Sequence, residues 1–282
     1  MTEGEAAPAA VVAPAARNLL TRVAVALVLA PAAIAMAYAG GWLWTALVTL
    51  VSIGLYVEWL TVVGEAKRRP AVASGVIGLA LAGVLLGLGR VEIALVVLML
   101  GLVAVAVLTP ERRVWVVTGF GYAAAAELAS VLVRLDPEQG WTALMLVLLV
   151  VWVTDIGGYF AGRGIGGPKL WPKVSPNKTW AGAIGGFAAS LAVAWGFAAC
   201  GLGKTSALLL LGSILSIASQ LGDLFESAVK RRFGVKDSSH IIPGHGGLLD
   251  RLDGFVAAVV LAAVFGLLRG GVDGVGHGLM VW

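Results

Sequence analysis

Long apolar runs follow one another through most of this chain, and they limit what it can fold into. Each is long enough to cross a bilayer as a helix, which takes about 20 predominantly apolar residues. Composition agrees. Of 282 residues, 59% are hydrophobic and only 13% charged, whereas soluble domains carry about 25% charged residues. Ten Trp and 39 Gly suit interfacial belts and close helix packing in lipid. The expected fold is an all-α polytopic bundle of about nine spans. These lie near 22–39, 41–63, 71–88, 91–108, 114–133, 141–161, 180–200, 206–226 and 254–269. Residues 1–16, rich in Ala and Pro, read as a disordered tail. No signal-peptide cleavage site is evident before the second span, so the first run is taken as a span.

Charge distribution gives the orientation. With the N-terminus cytoplasmic, all but four of the 20 basic residues fall on inner segments; the four are Arg90, Arg134, Lys204 and Arg269. This bias is the positive-inside pattern. It makes two long loops cytoplasmic, 164–179 and 228–251. The reading therefore divides the chain into a transmembrane scaffold, 17–134, and a catalytic region, 135–282. The single cysteine, Cys200, excludes an internal disulfide and a Cys-based metal cage. It sits in an apolar run and is expected to be an inert buried thiol. Nothing points to nucleic acid.

The scaffold is chemically quiet except for Glu58 and Glu127. A carboxyl at membrane depth is costly and faces the bundle interior, and the sequence leaves both roles open. In the sixth span Asp155, Tyr159 and Arg163 are four apart and share a helix face. Gly158 and Gly162 permit close helix approach. Asp155 is either a buried, hydrogen-bonded packing residue or part of a site. The loop that follows offers Lys169, Lys173, Ser175, Asn177, Lys178 and Thr179. Lysines and hydroxyls suit phosphate oxygens, of a substrate or of lipid headgroups.

Along the eighth span Ser213, Ser216, Gln220, Asp223, Ser227 and Lys230 recur at helical spacing and form one polar stripe. Asp223 and Lys230 are about 10 Å apart along the axis at ~1.5 Å per residue. Such a stripe could by itself be helix glue. The next loop carries Lys236, Asp237, Gly244, His245, Gly246 and Gly247, and then Asp250, Arg251 and Asp253 at the start of the ninth helix. The glycines allow close backbone approach. The two acids could cap the helix, but carboxylates among many cations also suit a Mg²⁺–triphosphate site, where one or two carboxylates hold the metal. The donor set does not suit zinc.

The stretch from Ser227 to Asp253 resembles the signature of the phosphatidate cytidylyltransferase (CDP-diacylglycerol synthase) family. It runs through Lys230-Arg231-Arg232, Lys236-Asp237-Ser238-Ser239-His240, Gly244-His245-Gly246-Gly247 and Asp250-Arg251-Leu252-Asp253. Gly222-Asp223-Leu224-Phe225-Glu226 and the segment Trp152 to Thr179 resemble the family as well. The resemblance covers about 140–254. One departure is Ala181, where the family commonly has Glu. The resemblance implies that CTP reacts with phosphatidic acid to give CDP-diacylglycerol and pyrophosphate at an inner membrane, in a homodimer, with Mg²⁺ and a second cation left open. It implies catalytic roles for Asp223, Asp250, Lys230 and Arg251, with Asp223 and Asp250 as metal ligands. Substrate contacts would come from Asp155, Ser175, Asn177, Lys178, Thr179, Ser227, Lys236, Asp237, Gly244, His245, Gly246, Gly247 and Asp253. A CTP-dependent polyprenol kinase is the alternative. An ion or lipid transporter is a further one, although transporters place polar stripes on several helices across both leaflets.

Overall fold

The computed structural model describes residues 14–239, 241 and 246–282, with side-chain surroundings from residue 27 onward. Gly244 and His245 lie outside the described residues, as does the expected tail up to residue 13. Ten helices are described: α1 (Pro14–Ala39), α2 (Gly41–Val62), α3 (Arg69–Gly87), α4 (Val91–Leu108), α5 (Arg113–Leu135), α6 (Gly140–Gly164), α7 (Trp180–Ala199), α8 (Thr205–Arg232), α9 (Leu249–Gly270) and α10 (Val275–Met280). The first nine fall on the nine expected spans. From α2 to α9, eight helices are long and apolar enough to cross a membrane; the described apolar part of α1, Leu27–Ala39, is shorter. The chain is an all-α polytopic membrane protein. The short α10 was not expected.

The expected loop at 164–179 contains a small hairpin. Strand β1 (Lys169–Trp171) pairs antiparallel with β2 (Ser175–Thr179), with Lys169 opposite Thr179 and Trp171 opposite Ser175. Thr179 then caps α7 by accepting from the Gly182 N–H at 3.1 Å, which serves one of the orphan donors of a helix start. Cys200 is a correction. It is exposed, because α7 stops at Ala199 and Cys200 forms the closing turn.

Two kinds of packing hold the bundle. Large aromatics fill the junction of α2, α5 and α8. The Trp59 ring stacks on Tyr122 and Phe225 at 5.7 and 6.1 Å between centroids, and its Nε1 donates to the Trp115 carbonyl at 2.8 Å. Glycine does the opposite between α6 and α7. A Cβ at Gly182 would stand 2.8 Å from the Gly158 carbonyl oxygen, and one at Gly186 would stand 2.5 Å from that of Thr154. Without a hydrophobic force between helices in lipid, such backbone proximity is what supplies dispersion energy.

The segments expected on the inner side meet at one end of the bundle. Arg68 bridges Glu65 at 2.9 Å and Glu111 at 3.2 Å, and Arg112 bonds the Val63 carbonyl and lies 5.7 Å above the Phe233 ring. The ends of α2, α4 and α8 and the start of α5 are thereby tied together. The functional candidates sit beside this junction.

Candidate active site

The polar stripe of α8 faces protein along its length. Ser216 accepts from Thr154 of α6 at 3.0 Å, and Gln220 donates to the Ala183 carbonyl of α7 at 3.3 Å. Ser213 bonds only within its own helix, to the Leu209 carbonyl. The upper stripe is therefore glue, as one of the two readings had it. Its inner end differs. Asp223 pairs through Oδ2 with Lys178 of the hairpin, and among the bonds between described residues its Oδ1 receives a long one, 3.4 Å, from Ser227. Two turns on from Asp223, Lys230 lies between Glu226 at 2.7 Å and Asp250 at 2.5 Å.

Asp250 sits in the first turn of α9. Its Oδ2 also accepts from the Ser238 N–H, the Ser238 hydroxyl and the Gly247 N–H at 2.9–3.1 Å. One carboxylate therefore ties α8, through Lys230, to both ends of the loop that precedes α9. Two of the loop glycines, Gly246 and Gly247, are explained by this crowding. Gly246 has φ +86°, and a Cβ there would meet Asp250 at 2.9 Å. A Cβ on Gly247 would stand 2.0 Å from the Ser238 hydroxyl and 2.4 Å from Glu58.

Five carboxylates, those of Asp155, Asp223, Glu226, Asp250 and Asp253, gather around the C-terminal end of α8. Asp253 of α9 interacts electrostatically with Asp223, Glu226 and Asp155. Asp155 of α6 also feels Asp223, Lys178 and Arg251. Glu226 is buried, and its Oε1 has no hydrogen-bond partner among the described residues. Lys178, Lys230 and Arg251 are the cations facing this group. Ser227 is at the edge of the cluster through its bond to Asp223. Lys236 and Asp237 are exposed on the nearby loop, Asn177 is exposed on β2, and Ser175 is half-buried there.

An apolar groove flanks each side of this charged end. One, about 450 Å³, runs between α5, α8 and α9 past Tyr122, Leu221, Phe225 and Val260. The other, about 360 Å³, runs between α7, α8 and the hairpin past Leu170, Trp180, Phe187, Gln220 and Leu221. Charge at the inner end and apolar grooves alongside suit a substrate with a phosphate head and a hydrocarbon tail.

Comparison with known proteins gives the family. The cytidylyltransferase family profile matches residues 20–268. A phosphatidate cytidylyltransferase of Brucella suis is 41% identical over 259 residues, which covers 89% of this chain and 94% of that protein. Those of Bacillus subtilis and Staphylococcus haemolyticus are 40% and 50% identical over 177 and 127 residues, covering 60% and 44% of this chain and 65% and 48% of theirs. The chain belongs to the cytidylyltransferase family.

Within this cytidylyltransferase the structure brings Asp155, Lys178, Asp223, Lys230, Asp250 and Asp253 to one end of the bundle. It also adds residues that the sequence reading left out of the site. Glu226 was readable in principle, since it precedes Lys230 by one helical turn. Ser238 gave no signal beyond its place in the loop. Glu58, from α2, accepts four hydrogen bonds from residues 238–249, and no local pattern in the sequence announces a contact across 180 residues or more.

Proposed function

We propose that this chain transfers the cytidylyl group of CTP to phosphatidic acid, giving CDP-diacylglycerol and pyrophosphate. The observation that carries the reading is the placement of the Lys178, Lys230 and carboxylate cluster between two apolar grooves. A lipid lying in a groove keeps its tail in hydrocarbon while its phosphate reaches the charged end.

The chemistry asks little covalent work of the protein. A phosphate oxygen of the lipid attacks the α-phosphorus of CTP, the bond from that phosphorus to the α,β-bridging oxygen breaks, and pyrophosphate leaves with the electron pair. No Ser or Cys nucleophile is required. The barrier lies in bringing two polyanions together, so positioning and charge stabilisation dominate. Lys178 and Lys230 are the side chains placed to offset that charge, and Arg251 is the third cation of the cluster. Their present partners, Asp223 for Lys178 and Glu226 and Asp250 for Lys230, hold them in place until substrate phosphates compete for them.

The donor set fits Mg²⁺. The oxygens are hard carboxylates, and Asp223 Oδ1 is held among the described residues by a long bond from Ser227. Such an ion takes one or two carboxylates and completes its shell with substrate phosphates and water. Asp223 would hold it, with Asp250 through its remaining capacity at Oδ1. When bound, the ion neutralises triphosphate charge and aids departure of pyrophosphate. Chelation should remove activity, and Mg²⁺ should restore it.

The proposed setting is the inner membrane, with this end of the bundle cytosolic. The gathering of the basic inner segments at the site end supports that orientation. Cysteines placed in 164–179, in a Cys200→Ser background, should react with an impermeant reagent only from the inner side; labelling from outside would reverse the orientation. A homodimer is implied by the family resemblance, and cross-linking in native membranes tests it. The decisive experiment for function uses CTP labelled at one phosphate. Label from the α-phosphate should enter lipid. Label entering lipid from the γ-phosphate would instead make the chain a lipid kinase.

A further inference from the structure

We infer that Glu58 is a positioning residue for this reaction: its buried carboxylate joins the two ends of the 238–249 loop and so sets Asp250 and Lys230. The inference rests on the proposed function, in which Lys230 meets a substrate phosphate and Asp250 helps to hold the metal.

The first turn of α9 has no cap of its own. Its N-cap position is Leu248, with no side-chain hydrogen bond, yet a helix start presents orphan N–H groups that need partners. Two of them are served from α2. Leu248 N–H donates to Glu58 Oε1 and Leu249 N–H to Oε2, both at 2.9 Å. The same two oxygens accept from the other end of the loop. Ser239 donates to Oε1 at 2.6 Å and Ser238 to Oε2 at 2.9 Å. Glu58 is 1% exposed. A carboxylate with four donors at a helix start is electrostatically satisfied despite burial.

The geometry demands a carboxylate. Each oxygen of Glu58 receives one backbone N–H, which cannot turn around. A glutamine amide in either orientation would therefore set its NH₂ against an N–H. Gly247 is held to the same fit, because a Cβ there would collide with both Ser238 and Glu58.

The link to the site runs through Ser238. Its hydroxyl oxygen lies 2.9 Å from Glu58 Oε2 and 3.1 Å from Asp250 Oδ2, so the two carboxylates share one donor. Asp250 in turn holds Lys230 at 2.5 Å. Displacing Glu58 would release the start of α9, and with it Asp250 and the lysine it holds. Glu58 thus couples an N-terminal helix to the charged cluster without touching substrate.

The test uses the full chain in membranes or nanodiscs. Glu58→Gln should raise KM for the substrate whose phosphate Lys230 meets, CTP or phosphatidic acid, by roughly tenfold or more, the scale of losing hydrogen bonds to a charged group. It should also speed amide exchange at Leu248 and Leu249 while leaving exchange in α3, α4 and α7 unchanged. Ser239→Ala removes one of the four bonds to Glu58, together with the exposed bond from the Ile241 N–H, and should raise the same KM by a smaller factor, so the inference stays testable if Glu58→Gln fails to fold. Glu127→Gln, a buried acid away from the loop, is the control and should leave both KM values unaltered. Both KM values unchanged in Glu58→Gln despite faster exchange, or unchanged exchange at Leu248 and Leu249, overturns the inference. A wild-type chain that makes no CDP-diacylglycerol overturns the functional reading instead, and the exchange measurement would still report on the clasp.

Discussion

The two ends of the bundle both carry charge, but they use it differently. At the end away from the site, Arg134 donates to the Ala37 and Tyr38 carbonyls at 2.7 and 2.9 Å, where α1 ends. Arg269 donates to the Gly278 and Val281 carbonyls at 2.5 and 3.0 Å and stacks on Trp282 at 3.8 Å. These cations close helix ends, whose last carbonyls lack partners, and the small negative pole of a helix C-terminus favours them. At the site end charge faces charge. Lys178 meets Asp223, Lys230 meets Glu226 and Asp250, and Asp155 and Asp253 add carboxylates without an equal number of cations. Charge spent on backbone carbonyls is structural. Charge held against an excess of opposite charge is available to a polyanionic substrate and its metal.

The largest effect that tests this contrast comes from Asp223→Asn. It removes the carboxylate charge that pairs with Lys178 through Oδ2 and that we assign to Mg²⁺ through Oδ1. Activity should fall by roughly 10²–10³-fold, the range for removing one preorganised electrostatic partner, while the protein still extracts and elutes as folded. Near-wild-type turnover at limiting Mg²⁺ would take Asp223 out of the metal site.

Lys230→Ala should combine two losses. If its ammonium meets a substrate phosphate, KM for that substrate rises by about 10- to 150-fold, as expected for a charged hydrogen bond of ~1.5–3 kcal/mol. The variant also strands Glu226 and Asp250, and breaking a largely buried pair costs about 3–5 kcal/mol. Adding Glu226→Gln should recover part of that stability but none of the KM defect. Which KM rises, that for CTP or for phosphatidic acid, names the phosphate that Lys230 meets. No rise in either would make the pair structural and weaken the contrast between the ends.

The smallest effect should come from Arg269→Ala at the far end. Losing its carbonyl bonds and the ring contact should cost about 1–3 kcal/mol, visible as a lower melting temperature. Both KM values and kcat should be unmoved. A selective kinetic defect would show that this end also communicates with the site.

Much of this was legible in the sequence because lipid is so demanding a solvent. Every span had to satisfy its own backbone, so apolar length alone located α1 to α9. The stripe from Ser213 to Lys230 followed from helical period, and its inner end does lie in the cluster. Other features depended on contacts between segments far apart in the chain. Nothing near Lys178 shows that a hairpin forms at 169–179 and brings that ammonium to Asp223. Burial at Cys200 was misjudged because the end of α7 depends on one turn. Glycines 246 and 247 were read for ligand approach, and the neighbours that crowd them, Asp250, Ser238 and Glu58, became visible only in three dimensions.

What the sequence determined by itself was therefore what short-range physics controls: which segments cross the membrane, which residues share a helix face, and which stretch is too charge-dense to be scaffold. What only the tertiary structure decided was pairing: Lys178 with Asp223, Lys230 between Glu226 and Asp250, and Glu58 across to the first turn of α9. Periodicity is a property of neighbours along the chain and survives without the fold. A buried carboxylate acquires its partners only when helices from both halves pack and the open donors of one helix start are brought against it.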